Sequence, residues 1–360
     1  MKKIIVGAAA LMIGAVGFAQ SNNSDVVSTG NNNTATVSQT ENRNDSDIDQ
    51  MGDGNRANVI QLGLENTSAI TQTGNGNGTS VDQQGAFQGA VISQIGDGNT
   101  GSVFQRGEVN NANISSVGDR NIVSISQLGV RNMSDVIQSG NDNGATSFVQ
   151  GDDNDVDIDQ NGDGNSALID ATLSNPFFFS SRNVMSSFQT GDGNTLESRV
   201  SGGNDNNITS TQDGESNYFR LSVRGDENTI TADQDGDNNR ADWVVSDGYP
   251  PSADNNTVNL TQNGFRNYAT GSIAGDNNGV IVNQMGSNNR VGTSWFTKDG
   301  VVIVGNDNIA NILQDGDMNQ AFSSQTGDLN QSYTTQSGLG HLSNIIQSGV
   351  SNIATVTQSN

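Results

Sequence analysis

The sequence predicts an all-β fold, a two-sheet β-solenoid of about 14 strand-turn-strand rungs with 22 residues per rung. Three observations predict it. The phrase Gln-x-Gly-x-x-Asn recurs every eleven residues, and polar and apolar residues alternate between one phrase and the next. In the middle of the chain, the residue at the Gln position also differs between odd and even units. Each unit of eleven is therefore predicted to be one strand plus one turn, and two units make a rung.

The first 19 residues are predicted to be a secretory signal peptide. Lys2 and Lys3 precede an apolar run, and Gly17 and Ala19 supply small residues before a cut at Gln20. No later segment is apolar enough to span a bilayer, so the chain is not expected to be membrane-embedded. Residues 20–360 are predicted to form a single solenoid.

Composition limits how such a chain can be stabilised. Its 360 residues carry a formal net charge of −24, contain no Cys and include 44 Gly and only 3 Pro. Apolar residues are scarce enough to suggest disorder, unless a repeated register lets a polar chain fold by stacking. The solenoid is therefore expected to depend on contacts between rungs rather than on a large apolar core.

The strand of each unit has one inward face. Asn55, Ala57, Val59 and Gln61 alternate with polar or outward residues, and the same pattern ends the chain over 352–358. Period-two alternation is typical of a strand with one buried face. The inward faces should therefore form thin columns of Asn, small or β-branched residues, and Gln.

The four residues after each Gln form the predicted turn. Gly is favoured there because a tight reversal needs positive φ, which costs glycine nothing sterically. The predicted turn glycines are Gly52, Gly63, Gly74, Gly96, Gly129, Gly316, Gly327 and Gly349.

Stacking at this repeat is predicted to superimpose identical amides, so that each donates to the next rung and accepts from the previous one. A wrong register would leave buried amides without partners, which costs more than a made bond gains. The predicted Gln ladder comprises Gln50, Gln61, Gln72, Gln94, Gln105, Gln127, Gln138, Gln160, Gln189, Gln212, Gln234, Gln262, Gln284, Gln314, Gln336 and Gln358. The predicted Asn ladder comprises Asn55, Asn66, Asn77, Asn99, Asn121, Asn132, Asn165, Asn319, Asn330 and Asn352.

Even-numbered units lose the Gln in the middle of the chain, and long interruptions follow the same parity. The even units end in Val149, Ala171, Val200, Val223, Val245, Ile273 and Trp295. Extended loops are predicted at 172–182, 246–255 and 296–307, with a shorter one at 201–205, all along one edge of the stack. Their aromatic residues are candidate contact sites or plugs for that edge: Phe177, Phe178, Phe179, Tyr249, Trp295 and Phe296.

The last strand is predicted to be an open edge. Residues 329–360 contain no Asp, Glu, Lys or Arg, and the final strand has no Pro. Natural sheets normally protect such an edge with charge, proline or a covering element. Ala354, Val356 and Gln358 are therefore the predicted polymerisation edge, where a second copy adds a strand.

These residues resemble the curlin repeat, Ser-x5-Gln-x-Gly-x-x-Asn-x-Ala-x3-Gln. The segment Asn55-x5-Gln61-x-Gly63-x-x-Asn66-x5-Gln72 fits it with Asn in place of the leading Ser, and Ala354 keeps the Ala. The resemblance implies a secreted subunit that passes an outer-membrane pore and polymerises into extracellular amyloid fibres of the biofilm matrix. The longer array, the missing Gln column and the loops depart from the pattern, so a nucleator remains an alternative to a major subunit.

Other functions are weighed on the same residues. A monomeric cell-surface adhesin using the decorated edge is the principal alternative. Ice binding is disfavoured because the outward column is a mixture of Asp, Thr, Ser and Ile rather than uniform Thr. Asp155, Asp157 and Asp159 allow calcium binding, although a solvated acidic face is favoured.

Catalysis and nucleic-acid binding are not expected. His341 is the only histidine and occupies an Asn position of the repeat, so neither an enzyme nor a cofactor site is predicted. A chain this acidic would be repelled by phosphates, so nucleic acid is not an expected partner. The expected partners are other copies, a related nucleator or fibre subunit, and the secretion pore.

Overall fold

The computed structural model describes residues 21–172, 180–246, 253–293 and 299–360. Every regular element within these ranges is a β-strand, and the strands pair in parallel. This confirms the predicted fold class, a β-solenoid of about 14 rungs with about 22 residues each. The predicted signal peptide lies outside the described residues.

The chain divides into two compact units, Met1–Asp153 and Asn154–Asn360. In the first unit, odd strands pair in the order β1-β3-β5-β7-β9-β11 and even strands in the order β2-β4-β6-β8-β10-β12. The strands are β1 (Asn23–Thr29), β2 (Thr34–Thr40), β3 (Asp45–Met51), β4 (Arg56–Leu64), β5 (Thr67–Thr73), β6 (Gly78–Ala86), β7 (Gly89–Ile95), β8 (Thr100–Glu108), β9 (Asn111–Val117), β10 (Ile122–Val130), β11 (Met133–Ser139) and β12 (Gly144–Asp152).

The second unit repeats this arrangement with one split strand. One sheet runs β13-β15-β17-β19-β21-β23-β26-β28-β30. The other runs β14-β16-β18-β20-β22, then β24 and β25 end to end at one strand position, then β27 and β29. The strands are β13 (Asp155–Asn161), β14 (Ser166–Ala171), β15 (Val184–Thr190), β16 (Thr195–Val200), β17 (Asn207–Asp213), β18 (Tyr218–Val223), β19 (Thr229–Asp237), β20 (Arg240–Val245), β21 (Thr257–Phe265), β22 (Tyr268–Ala274), β23 (Gly279–Ser287), β24 (Arg290–Val291), β25 (Val301–Val304), β26 (Ile309–Asp317), β27 (Gln320–Thr326), β28 (Gln331–Leu339), β29 (Leu342–Ser348) and β30 (Ile353–Ser359).

Register follows the repeat without slippage. Ile70 pairs with Ile92 and Ile92 with Ile114, so identical inward side chains stack along the sheet. All three are buried. In a parallel sheet, a one-residue slip would turn every inward side chain to the surface. The alternating burial therefore fixes one register.

The turn glycines are needed for space as well as for conformation. Gly52 has φ of +116°, as the sequence interpretation expected for a tight reversal. A Cβ at Gly52 would also lie 2.0 Å from the carbonyl oxygen of Gly74 in the next rung. The turns of Gly52 and Gly74 therefore approach too closely for a side chain at Gly52.

A second turn position is left-handed, and the sequence interpretation missed it. The residue just before the Asn has φ near +57°, as at Glu65, Val109 and Arg131. Glycine occupies the equivalent place at Gly54 and Gly76, with φ of 71° and 66°. The recurrence of Gly, Asn and Asp at this position was the available signal, because these residues tolerate left-handed backbone best.

Two of the interruptions are shorter than predicted. The chain rejoins the stack at Ser180 and Ala253, both of which take the place of a turn glycine. Asn154 Nδ2 donates to the Ser180 carbonyl at 2.7 Å, and Asn228 Nδ2 donates to that of Ala253 at 2.8 Å. Residues 180–182 and 253–255 therefore belong to regular turns rather than to the loops.

The fourth interruption is not where the sequence placed it. Counting eleven residues from Gln284 puts the strand end at Trp295, but Ile273 pairs with Ile303. The insertion separates β24 from β25, and Gly305 begins a regular turn, so a loop at 296–307 is wrong. Counting in steps of eleven fails here because the insertion lies inside a strand position. Buried Val301 and Ile303 complete that strand position after the insertion.

Candidate functional site

The buried Gln side chains form ladders that run from rung to rung. Gln61 donates through Nε2 to Oε1 of Gln83 at 2.9 Å, and Gln83 donates to Gln105 at 2.9 Å. These glutamines are fully buried. Three continuous series are Gln50–Gln72–Gln94, Gln61–Gln83–Gln105–Gln127, and Gln160–Gln189–Gln212–Gln234–Gln262–Gln284–Gln314–Gln336–Gln358.

Each Gln also ties the two sheets of its unit together. The second hydrogen of Gln61 Nε2 goes to the carbonyl oxygen of Asp45 at 3.0 Å, which begins a strand of the opposite sheet. Gln72 makes the same bond to Arg56 at 3.1 Å. One carboxamide therefore holds the next rung and the facing sheet at once, which explains why the position admits so few other polar residues.

An apolar column replaces the Gln in part of the second unit. Ala171, Val200, Val223, Val245, Ile273 and Ile303 are all fully buried at this position. The Gln ladder resumes at Gln325, which donates to Gln347 at 2.9 Å. Gln325 Oε1 is buried without a hydrogen-bond partner among the described residues, because Ile303 in the preceding rung has nothing to donate.

The Asn columns work differently from the predicted amide-to-amide ladder. Asn55 Nδ2 donates to the carbonyl oxygen of Gly74 at 2.8 Å, and Asn55 Oδ1 accepts the backbone N–H of Asn77 at 3.0 Å. The shorter side chain, placed at the end of a turn, reaches the backbone of the next turn. It therefore clamps consecutive turns rather than bonding a partner amide.

Amide-to-amide contacts do occur in the Asn column before the odd-type strands. Asn132 Nδ2 donates to Asn110 Oδ1 at 3.1 Å and also to the Gly151 carbonyl at 2.7 Å. The backbone clamp is made by the predicted residues Asn66, Asn77, Asn99, Asn121, Asn132, Asn165, Asn319 and Asn330.

The recurring Gly-Asp-x-Asn turns have a structural use. Asp97 Oδ1 accepts the backbone N–H of Asn75 at 2.7 Å, and Asp119 Oδ1 accepts that of Asp97 at 2.8 Å. Each carboxylate thus caps the turn of the preceding rung. Within the described ranges, no group of three or more Asp, Glu and His side chains is placed to hold a metal ion.

Charged side chains on the turns pair from rung to rung. Arg131 contacts Asp153 at 2.6 Å, and Arg120 contacts Asp142 at 2.6 Å. The hydrogen bond from Arg120 lowers the pKa of Asp142. Such exposed pairs are screened by water, so they adjust the stack rather than hold it.

The outer face of the second unit carries a short column of stacked rings and guanidinium groups. Tyr218, Arg240, Tyr268 and Arg290 occupy successive rungs at one position. Arg240 lies 4.5 Å from the centre of the Tyr218 ring, and Arg290 lies 5.5 Å from that of Tyr268. These cation–π contacts add an outward ladder beside the apolar column.

One acidic side chain gives a pH-dependent prediction. The pKa of Asp233 is raised because burial disfavours its charged form and because Asp235 and Asp213 lie nearby. A carboxyl whose folded pKa exceeds its unfolded value costs stability at neutral pH, and the cost disappears as pH falls through the folded pKa. Asp233→Asn should therefore stabilise the monomer at pH 7 and have little effect at about pH 3, below both pKa values.

Urea denaturation of freshly purified monomer at the two pH values measures this difference. Thr211→Asn is the matched control, because Thr211 lies beside Asp233 in the same outward column and neither residue of that exchange titrates. An equal effect of Asp233→Asn at both pH values would contradict the explanation.

Strand β1 of the first unit and strand β30 of the second unit are exposed. In β30, Ala354, Val356 and Gln358 lie in the inward columns yet remain half-buried, because β30 pairs only with β28. Gln358 nevertheless accepts from Gln336 at 2.9 Å and donates to the Leu342 carbonyl at 3.0 Å. The ladder is therefore already formed at this edge.

The remaining predicted positions are placed as follows. His341 occupies an Asn position, where its backbone N–H donates to Asn319 Oδ1 at 3.0 Å. Gln138 is buried in its column and accepts from Ser116 at 3.2 Å. Asn352 donates to Asn330 Oδ1 at 2.8 Å. The candidate contact residues Phe177, Phe178, Phe179, Tyr249, Trp295 and Phe296 lie outside the described residues.

Comparison with known proteins bears on the repeat itself. Four segments match the family described as Curlin associated repeat: residues 42–74, 96–129, 151–175 and 253–286. No curated protein matches the chain. No helix in the described ranges is long and apolar enough to cross a membrane.

Proposed function

Because the chain is a curlin-repeat protein, we propose that it is a structural subunit or nucleator of curli-like amyloid fibres that grow end to end by strand addition. The family is structural rather than enzymatic, and its members are components of extracellular fibres. The observation that carries the proposal is the uncovered edge of β30. It offers half-buried Ala354, Val356 and Gln358 in columns that are buried in the rungs before it.

Energetics favour a partner at this edge. An exposed parallel strand presents unpaired backbone donors and acceptors that another chain can satisfy. The edge is also apolar, with Leu342, Ile346 and Ile353 exposed by 61%, 73% and 69%. These side chains point outward, so a strand added at the edge covers only part of them, and the gain is about 25 cal/mol for each Å² removed from water.

The fibre proposal is tested first on the protein without its signal peptide. Aged samples should bind a cross-β dye and diffract at about 4.7–4.8 Å, the spacing between strands. Persistent monomers without this reflection would instead support the alternative function, a monomeric cell-surface adhesin. A measurement of thermal hysteresis on the monomer separately tests ice binding.

A single substitution locates the growing end. Val356→Lys places a charge in the inward column of the last strand, so elongation should fall at least tenfold, while the monomer stays folded because the site is only half-buried. Thr355→Lys is the matched control, since it puts the same charge on the outward face of the same strand. Equal elongation rates for the two variants, followed by dye binding on seeds, would show that β30 is not the growing edge.

Secretion and the matrix role belong to the same proposal. The predicted signal peptide at 1–19 supports export, and fibres outside the cell would contribute to the biofilm matrix and to adhesion. The expected partners are other copies, a related fibre subunit or nucleator, and an outer-membrane secretion pore. Immunogold labelling of intact cells would place the protein on extracellular fibres or refute that localisation.

A further inference from the structure

We propose that successive copies join through a half-rung step, in which β1 of one copy pairs with β29 of the preceding copy and β2 pairs with β30. The inference rests on the proposed end-to-end polymerisation. It specifies which strand meets which at the junction, and it fixes the register at every position.

The half-rung step follows from the rise of the chain along the solenoid axis. A rung rises by about 4.8 Å, so each strand lies about half that height above the strand before it in the other sheet. At one end β29 therefore lies half a rung below β30, and at the other end β1 lies half a rung below β2. A copy that fills the step must place its lower strand, β1, on β29 and its upper strand, β2, on β30.

The inward residues at the two ends match in this arrangement. β29 and β30 present Ser-Ile-Gln (Ser343, Ile345, Gln347) and Ala-Val-Gln (Ala354, Val356, Gln358). The strands on which β1 and β2 already stack, β3 and β4, present the same two triads: Ser46, Ile48, Gln50 and Ala57, Val59, Gln61. The C-terminal pair therefore offers the first pair of the next copy the same inward residue types, in the same order, as its natural neighbours, but from the opposite side of the strands.

The amide ladder continues across the step. Gln39 donates to Gln61 Oε1 at 2.8 Å, whereas no described residue donates to Gln39 Oε1. Gln358 Nε2 uses one hydrogen on the Leu342 carbonyl, and in the glutamines of its column from Gln160 to Gln336 the other hydrogen is donated to the glutamine of the next rung. With β2 on β30, Gln358 donates to Gln39 Oε1 of the next copy.

The turns also fit. Pairing β29–β30 with β1–β2 puts Gly30 of the next copy over Gly349. A Cβ at Gly327 would lie 2.2 Å from the carbonyl of Gly349, whereas a Cβ at Gly349 would meet only Asn352 Nδ2, at 3.5 Å. The space that the next turn occupies throughout the stack is thus open at Gly349.

The competing junction places β1 on β30. Gln358 would then face Ser28 and could not extend its ladder to Gln39, whereas in the half-rung step Ser28 lies on Gln347 and Gln39 lies on Gln358. In the competing junction β29 would also have no strand beside it. One missing strand would leave the inward residues Ser343, Ile345 and Gln347 at a gap in the fibre. The half-rung step avoids this gap, because both free edges are covered.

Thiol cross-linking distinguishes the two junctions, since the chain contains no Cys. Each experiment mixes two singly substituted proteins, polymerises them and adds a short thiol–thiol cross-linker, so that only bonds between copies are seen. Thr357→Cys is mixed either with Ser38→Cys, its neighbour in the proposed junction, or with Val27→Cys, its neighbour in the competing one. All three positions are exposed and point outward from their strands.

The proposal expects dimers from Thr357→Cys with Ser38→Cys, and at least fivefold fewer from Thr357→Cys with Val27→Cys. A third mixture, Ile346→Cys with Val27→Cys, should cross-link as strongly as the first. Preferential cross-linking of Thr357→Cys to Val27→Cys overturns the step.

Fibres that form without any of these cross-links also overturn the step, while leaving the fibre function standing. Failure of the unsubstituted protein to form fibres refutes the proposed function, and the junction with it.

Discussion

Replacing Gln105 with leucine is expected to lower the free energy of unfolding by about 2–6 kcal/mol, although leucine is the more hydrophobic residue. Gln105 accepts from Gln83 at 2.9 Å and donates to Gln127 at 2.9 Å. Without Gln105, one N–H of Gln83 and Oε1 of Gln127 lose their hydrogen-bond partners inside a buried column. Each buried group without a partner costs about 1–3 kcal/mol.

Gln325→Leu is the matched control for this experiment. Gln325 belongs to the same type of column, but its Oε1 already has no hydrogen-bond donor among the described residues. Replacing Gln325 removes that unpaired atom, and within the ladder only Gln347 Oε1 loses its hydrogen-bond donor. Chemical denaturation of the two monomers should therefore give a smaller loss for Gln325→Leu; equal losses would show that ladder continuity contributes little.

Gly271→Ala is expected to destabilise the protein by about 3 kcal/mol, at the upper end of the range for overpacked cores. Gly271 faces inward in β22, beneath the fully buried indole of Trp243 in the preceding rung. A Cβ at Gly271 would lie 2.0 Å from the Trp243 ring. The backbone itself is ordinary for a strand, so the added methyl acts through this contact alone.

A double-mutant cycle tests the contact. Trp243→Leu removes the ring, so Gly271→Ala introduced into that variant should cost much less than it does in the natural sequence. Circular dichroism during urea denaturation supplies the four free energies. Additive losses would mean that the indole and the glycine are not coupled.

The repeat predicted much of the geometry of the Gln ladders. Gln61, Gln83 and Gln105 recur at a spacing that only rung-upon-rung stacking satisfies, and their amides bond as the stacking predicts. The Asn columns were placed at the right positions, but residues such as Asn55 bond the backbone of the next turn, and only some members, such as Asn132, also make the predicted amide-to-amide bond. The position of a side chain in the repeat fixes its column. Whether the Asn55 side chain reaches the Gly74 carbonyl depends on the path of the turn.

The split strand shows the limit of counting. Trp295 lies eleven residues after Gln284, but pairing with Ile273 selects Ile303. Nothing local distinguishes an insertion inside a strand from one after it, because both interrupt the same periodicity. The choice depends on which residues can be buried against β22 and β27.

The eleven-residue repeat is enough to specify that the strands stack at two units per rung, because identical amides and alternating inward residues are satisfied together only in that register. The tertiary structure alone decided where the chain departs from the repeat and which atoms meet. Those outcomes depend on distances between rungs that no single unit encodes: the approach of Gly52 to Gly74, the reach of Asn55 to the next turn, and the space that Gly271 leaves for Trp243.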